Sequence, residues 1–254
     1  MQTGLLLAAA WLLAVERQGT DLESRREWGQ AAVVYRAALD RLSPDTPAHD
    51  RFWLQMSLAE VEFERHDYGE ARRWLQQAEA TANGVPPRSP ARVKLLNAWG
   101  TLYLVQGNPA AAARKLAEAV DLAEAPHDRA AALHNLAAVE MQAGKLDQAA
   151  AHEREAIELW QPQPAYLQKA WIGMSSIDAL RRDWHSAEAS ILQALAIQET
   201  PEALANYAIV LEKLRRGKEA RAIRRRLPVD IAPPTPPVVN VNTLRDGGPG
   251  VLSR

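Results

Sequence analysis

Residues 133–160 read LHNLAAVEMQAGKLDQAAAHEREAIELW, and this stretch holds one complete unit that recurs along the chain. Leu133, Leu136 and Val139 place apolar side chains along one face of a helix. Gly144 interrupts that helix, because glycine readily adopts the left-handed conformation that ends helices. A second helix follows, so the stretch predicts an antiparallel helical pair. Such a pair cannot bury its own apolar face, which predicts copies of it on both sides.

The unit recurs six times, with one residue in each copy marking the turn between its two helices. These markers lie 33 to 41 residues apart, a spacing typical of helical repeat arrays. The markers are Arg26, His66, Gly107, Gly144, Arg182 and Arg215. In the second helices, two series of alanines are predicted to let neighbouring helices approach closely. The first series is Ala31, Ala71, Ala112, Ala149, Ala187 and Ala220, and the second is Ala38, Ala78, Ala119, Ala156 and Ala194.

The composition agrees with a folded helical protein. Of the 254 residues, 47% are hydrophobic, 24% are charged and only 6% are aromatic, which favours helices over sheet. The formal net charge of −1 gives no overall field that would attract nucleic acid or an anionic membrane. With no cysteine, the chain lacks disulfides, thiolate nucleophiles and cysteine zinc sites. The predicted fold is all-α, a right-handed α-solenoid of about six helix-turn-helix repeats.

Three regions are predicted along the chain. Residues 1–14 form an apolar N-terminal segment, residues 15–228 form the solenoid, and residues 229–254 form a flexible tail rich in proline and glycine. Prolines also lie in the connections between the helical pairs, where helices are expected to end.

The apolar segment Gly4–Val15 allows two interpretations. At 12 residues it is too short to span a bilayer, so no transmembrane span is predicted. It is either the apolar part of an export signal or a buried first helix of the solenoid. Met1–Thr3 contains no lysine or arginine, and Leu12 lies three places before a cut after Ala14; both features disfavour export. A cytoplasmic location is therefore favoured over an exported one.

Catalytic and metal-binding motifs are not found. His152 and Glu153 begin like a helical zinc motif, but Ala156 stands where the second histidine is required. Both residues are predicted to lie on a solvated helix face. The sequence shows no Ser-His-Asp order, phosphate loop or paired catalytic carboxylates, so it predicts a protein that is not an enzyme and binds no metal or cofactor.

The repeat pattern resembles the tetratricopeptide repeat. The resemblance rests on large-small pairs such as Trp99–Gly100, on Tyr68 after its turn, and on the spaced alanines. HNLA at residues 134–137 and NYA at residues 206–208, with a period near forty, are similar to the kinesin-light-chain type. The resemblance implies a scaffold that binds a peptide or partner protein in a concave groove, without catalysis or a cofactor.

The resemblance also implies which residues line that groove. In this family the lining comes from first-helix positions beside the large-small pair. That register gives Trp53, Met56, Ser57, Lys94, Asn97, His134, Asn135, Lys169 and Asn206. Asn135 and Asn206 can each donate to and accept from one peptide unit of a ligand, or they can serve only as polar helix surface. Lys94 and Lys169 favour ligands that carry Asp or Glu.

Two other functions remain open at this point. One is an exported envelope or assembly factor of the same fold, which depends on the N-terminal apolar segment. The other is a nucleic-acid-associated regulatory module that uses the basic last hairpin. The basic residues of that hairpin are Lys213, Arg215, Arg216, Lys218, Arg221, Arg224, Arg225 and Arg226. Nucleic acid is the less favoured partner, because a terminal repeat needs a polar outer face in any case.

Overall fold

The computed structural model describes residues 2–82, 86 and 88–227, and the side chains of the first helix from residue 10 onward. Within these residues the chain forms twelve α-helices and no strand. The helices are α1 (Gln2–Ser24), α2 (Trp28–Arg41), α3 (Ala48–Glu64), α4 (Tyr68–Thr81), α5 (Pro90–Val105), α6 (Pro109–Leu122), α7 (Pro126–Gln142), α8 (Leu146–Leu159), α9 (Pro164–Leu180), α10 (Trp184–Ile197), α11 (Pro201–Lys213) and α12 (Gly217–Arg224). They form six consecutive pairs, which confirms the predicted all-α solenoid.

The six turn markers all adopt the left-handed conformation. Their φ angles are 59° to 64° at the four non-glycine markers and 72° at the two glycines. At the fourth repeat, Lys145 N–H donates to Glu140 O (2.9 Å) and Gly144 N–H donates to Met141 O (3.1 Å). This pair of bonds is the Schellman motif, which satisfies carbonyls that the end of a helix would otherwise leave unpaired. Each marker therefore ends one helix and allows the next to begin within three residues.

The two alanine series lie at the helix contacts, as the spacing predicts. Every alanine of both series is at most 2% exposed. Between the two series, Leu75, Leu116 and Ile191 are also at most 2% exposed, so a large apolar side chain fills the space between two close contacts. Gly100 shows how tight this packing is, because a Cβ there would lie 2.4 Å from Leu116 Cγ.

The odd-numbered helices form the inner side of the solenoid. Besides packing against their own partners, α3, α5, α7 and α9 each contact the next odd-numbered helix. Among the described residues, no pair of even-numbered helices makes contacts as extensive. Because the first helices of successive pairs lie closer together than the second helices, the stack curves with the first helices on its concave side.

The N-terminal segment continues into the first helix. Leu12 and Val15 of α1 are buried in one cluster with Ala31, Ala32 and Tyr35 of α2. None of the helices described is long and apolar enough to cross a membrane. The predicted tail, residues 229–254, lies outside the described residues.

Candidate functional site

The residues that the sequence predicts as ligand-lining lie in a row on α3, α5, α7, α9 and α11, the first helices of their pairs. We call this row the groove. Its first part lies between α3 and α5, where Lys94 Nζ is 2.9 Å from Glu60 Oε1. The same ammonium lies 5.0 Å from the centre of the Trp53 ring, in the geometry of a cation–π contact. The two ion-paired side chains are only 15% and 11% exposed. The charge of Lys94 is thus already matched within the protein.

The charge of Lys94 also acts on two partly buried carboxylates, Glu16 and Asp128. Burial raises the pKa of Glu16 on α1, and the charge of Lys94 opposes that rise. Burial likewise raises the pKa of Asp128 on α7, with His127 and Lys94 opposing.

The amides of two consecutive repeats meet between α5 and α7. Asn135 Nδ2 donates a long hydrogen bond of 3.5 Å to Asn97 Oδ1. Asn97 is 7% exposed and Asn135 is 4% exposed, so both amides lie at the base of the groove. The two residues occupy the predicted groove positions of consecutive repeats. Their burial follows from the close packing of α5 against α7.

A buried polar pair lies beneath the groove at the junction of α7, α8 and α9. His134 Nδ1 is 2.7 Å from Glu153 Oε1, and Glu153 is 1% exposed. Burial raises the pKa of Glu153, while His134 opposes the rise. The helix α9 can pass over this carboxylate only because residue 173 is glycine; a Cβ there would lie 2.5 Å from Glu153 Oε1.

This geometry corrects one prediction made from the sequence. Glu153 does not lie on a solvated helix face, because it fills the core position that Leu116 occupies in the preceding repeat. His152 is also partly buried, with its Nδ1 2.8 Å from Glu140 Oε2. The signal was present in the sequence, since Glu153 lies between Ala149 and Ala156, where other repeats carry a large apolar side chain.

An aromatic cluster that the sequence reasoning missed lies beside His134. The rings of Trp160 and Tyr166 stack with centroids 5.6 Å apart, and His134 lies 5.6 Å from Trp160. Trp160 is fully buried, and its Nε1 donates to His127 Nδ1 at 3.2 Å. Lys169 places its ammonium 5.5 Å from the Tyr166 ring, which extends the cluster to the groove surface on α9.

The remaining predicted residues differ in how accessible they are. Trp53, Ser57, Lys169 and Asn206 are partly exposed and can meet a ligand. Met56 is fully buried in the core cluster of α3, α4 and α5, so its side chain is a packing element and not part of an accessible lining.

Much of the positive charge of the last hairpin is neutralised internally. Arg216 pairs with Glu188 and Glu219, Arg224 with Glu212, and Arg226 with Glu199. Only Ala220 of α12 is buried, as expected for a helix that caps the end of a solenoid. In the part of the chain that the structure describes, no group of His, Asp and Glu side chains is arranged to hold a metal ion.

Two family models match the sequence, both described as tetratricopeptide repeat, over residues 50–125 and 97–164. No curated protein matches it. BtubC (BKLC) from P. vanneervenii is 17% identical, with 91% of this chain and 96% of that chain covered and a TM-score of 0.59. PilW, a widely conserved type IV pilus biogenesis factor, is 14% identical, with 85% of this chain and 91% of that chain covered and a TM-score of 0.64. A putative kinesin light chain of Podosopora anserina with nearly identical repeats is 18% identical, with 72% of this chain and 95% of that chain covered and a TM-score of 0.59. At such low identities these likenesses establish a common fold.

Proposed function

Since this chain is a tetratricopeptide repeat protein, we propose that it is a non-enzymatic scaffold that docks a peptide or partner protein in the groove. The observation that carries this proposal is the alignment of polar side chains from consecutive repeats along the inner helices. Asn97 and Asn135 lie side by side on α5 and α7. Lys169 and Asn206 follow on α9 and α11, both partly exposed. An extended ligand lying across these helices meets one repeat after another.

The side chains of the groove suit a peptide better than a small molecule. Amides such as Asn135 and Asn206 can both donate to and accept from a peptide unit. Trp53 and Tyr166 add flat apolar surface on either side of the amides. Only a ligand long enough to cross several repeats can contact all of these side chains at once.

Hydrogen exchange tests where the ligand binds. A linear peptide is first selected on the protein from a display library, and amide exchange is then compared with and without that peptide. Protection concentrated on α5, α7 and α9 is the expected result, because the ligand would lie on the inner helices. Protection confined to α6, α8 or α12 would place binding on the outer surface and contradict the proposal.

A second candidate function is an exported envelope or assembly factor with the same groove. The apolar run Gly4–Val15 favours it, and PilW, a pilus biogenesis factor, has the same fold. Against it, cleavage after Ala14 would remove Leu12, which is 6% exposed in the first core cluster. Mass spectrometry of the protein from its native cell separates the two: a mature N-terminus near Val15 supports export, and an intact N-terminus rejects it.

A further inference from the structure

A row of apolar side chains lies along one edge of the groove, at the ends of its helices. Val105 and Leu180 are the last residues of α5 and α9, and Met141 is the last but one of α7. Each follows a predicted groove residue by about two or three whole helical turns, so it lies on the same face of its helix. The groove residues that they follow are Lys94, His134 and Lys169. Leu180 is 41% exposed, and Val105, Met141 and, on α11, Ile209 are partly exposed. We call Val105, Met141, Leu180 and Ile209 the apolar edge.

These four residues form one edge because their helices run parallel and contact one another. Contacts join α5 to α7, α7 to α9 and α9 to α11. One antiparallel helix separates each of these helices from the next, so their C-terminal ends lie on the same side of the solenoid. Apolar side chains left accessible in such a row are typical of an interaction surface.

The segment that follows the last helix has the chemistry that this edge requires. Residues 231–244 read IAPPTPPVVNVNTL and carry no charged side chain. A proline-rich chain favours the extended polyproline conformation, so it loses little conformational freedom when it binds. In that conformation Val238 and Val241 are one turn apart and point to the same side. The segment can therefore bring apolar side chains to the apolar edge without burying a charge there.

The chain leaves the solenoid close to the groove. Arg226 pairs with Glu199, which lies two residues before α11 begins. From there, the path along α11 measures about 20 Å, and the three helix spacings from α11 to α5 add about 30 Å. Residues 228–254, which follow the described part of the chain, reach about 80 Å when extended at about 3.1 Å per residue. The segment is therefore long enough to cross the groove from α11 to α5.

We infer that residues 231–244 occupy the groove of their own chain, with their apolar side chains on the apolar edge, and that a partner must displace them. The inference rests on the proposed function, since it supposes that the groove binds an extended peptide. Because the segment is tethered, its effective concentration at the groove is about millimolar, and a weak contact suffices to fill the site. The internal ligand then sets a threshold, because a partner gains the groove only by outcompeting it.

Photochemical cross-linking tests where the segment lies. Because the chain contains no cysteine, Thr235→Cys can be labelled at one position with a benzophenone maleimide. The labelled full chain is compared with two further variants of it. Leu180→Ser changes the apolar edge, and Leu192→Ser makes the same change on the outer helix α10, where the leucine is 44% exposed. Thermal unfolding confirms that each variant is folded, and mass spectrometry locates the cross-links.

We expect cross-links within one chain to α5, α7, α9 or α11. Leu180→Ser should reduce their yield about threefold or more, because apolar contact is lost, while Leu192→Ser should leave it unchanged. Cross-links confined to the outer helices, or an equal effect of the two substitutions, would overturn the inference. Cross-links between two chains would make a second copy the occupant and overturn it as well.

The affinity for a foreign peptide separates this inference from the proposed function. Val238→Ser/Val241→Ser weakens the internal ligand, so a library-selected peptide that protects the inner helices should bind this variant about three- to tenfold more tightly than the wild type. The control Val251→Ser/Leu252→Ser makes a similar change outside the uncharged segment and should leave the affinity unchanged. Equal affinities for all three proteins would overturn the inference and leave the proposed function standing. Cross-links in the groove, with no foreign peptide that protects the inner helices, would contradict the proposed function instead.

Discussion

His134 Nδ1 lies 2.7 Å from Glu153 Oε1, so a histidine of α7 and a glutamate of α8 form a polar pair inside the solenoid. The same core position in other repeats holds Leu75, Leu116 or Ile191. Glu153 also has a second carboxylate oxygen, Oε2, that is buried without a hydrogen-bond partner among the described residues. The fourth repeat therefore has a titratable carboxyl at a core position where the third and fifth repeats carry the apolar side chains Leu116 and Ile191. The stability of the fold should depend on whether this carboxyl is protonated.

This pair predicts a pH-dependent contribution to stability. Burial raises the pKa of Glu153 above its ordinary value of 4.5. The protonated carboxyl is therefore favoured by folding. Its contribution to stability is fully present below the ordinary pKa and is lost as pH rises through the higher pKa of the folded state. Glu153→Gln resembles the protonated acid and avoids that loss. The free energy of unfolding of Glu153→Gln, relative to the wild type, should therefore increase between about pH 4 and pH 7.

Urea unfolding at a series of pH values measures this difference. Glu158→Gln is the matched control, because it makes the same change at an exposed position of the same helix. Its stability curve should stay parallel to that of the wild type. Parallel curves for Glu153→Gln as well would show that the carboxyl is not protonated preferentially in the folded state.

The buried alanines predict that the same substitution changes the free energy of unfolding very differently at two nearby positions of α8. Ala149 is fully buried at a helix contact, whereas Ala151 is exposed two residues later. Ala149→Leu should overpack the contact and lower the free energy of unfolding by about 1–3 kcal/mol. Ala151→Leu adds the same atoms on the outer surface and should change it by less than about 0.5 kcal/mol. Chemical denaturation of the two variants checks this, and equal stabilities would contradict the role of the alanine series.

The fold is largely predictable from the sequence because its determinants are local and periodic. A residue such as Gly144 ends a helix through its own conformation, and an alanine such as Ala149 marks a close contact at a fixed distance after it. These features do not depend on distant parts of the chain. Six repetitions make the pattern clear even where the marker is not glycine, as at Arg26 or His66.

The groove is less predictable, because its chemistry depends on how closely successive repeats approach. The register places Asn97 and Asn135 at groove positions of consecutive repeats, but it does not reveal that both are buried. The pairing of Lys94 with Glu60 joins residues 34 positions apart and requires the rotation between neighbouring repeats. Met56 likewise becomes a core residue through packing against α4 and α5 and not through any local signal.

The Lys94–Glu60 pair predicts that Lys94 is needed for stability as well as for the charge of the groove. Lys94→Met keeps an apolar stem beside Trp53 but removes the ammonium that lies 2.9 Å from the largely buried carboxylate of Glu60. It should lower the free energy of unfolding by about 1–3 kcal/mol. Lys115→Met is the matched control, because Lys115 is 4.0 Å from Glu118 and that pair is much more exposed. The control should lose at most about 1 kcal/mol. If Lys94→Met unfolds at the same urea concentration as the wild type, Glu60 does not need the ammonium.

The groove predicts a gradient of effects along a bound peptide. Asn135 lies on α7, in the middle of the stack, while Asn206 lies on α11, near its end. A central contact is better shielded from water than a terminal one, so Asn135→Ala should weaken binding of a selected peptide more than Asn206→Ala. A net hydrogen-bond contribution of about 0.5–1.5 kcal/mol corresponds to about a 2- to 10-fold loss of affinity for the central change.

Fluorescence titration of the labelled peptide against each variant measures this gradient. Gln148→Ala, on the exposed outer face of α8, serves as the control and should leave the affinity unchanged. Because Asn135 also donates to Asn97, thermal unfolding must show that Asn135→Ala keeps its fold. A folded Asn135→Ala variant with wild-type affinity, together with an unaffected Asn206→Ala variant, would remove the amides from the binding site. The outer helices or the proline-rich segment after residue 228 would then be the surfaces to examine for the partner.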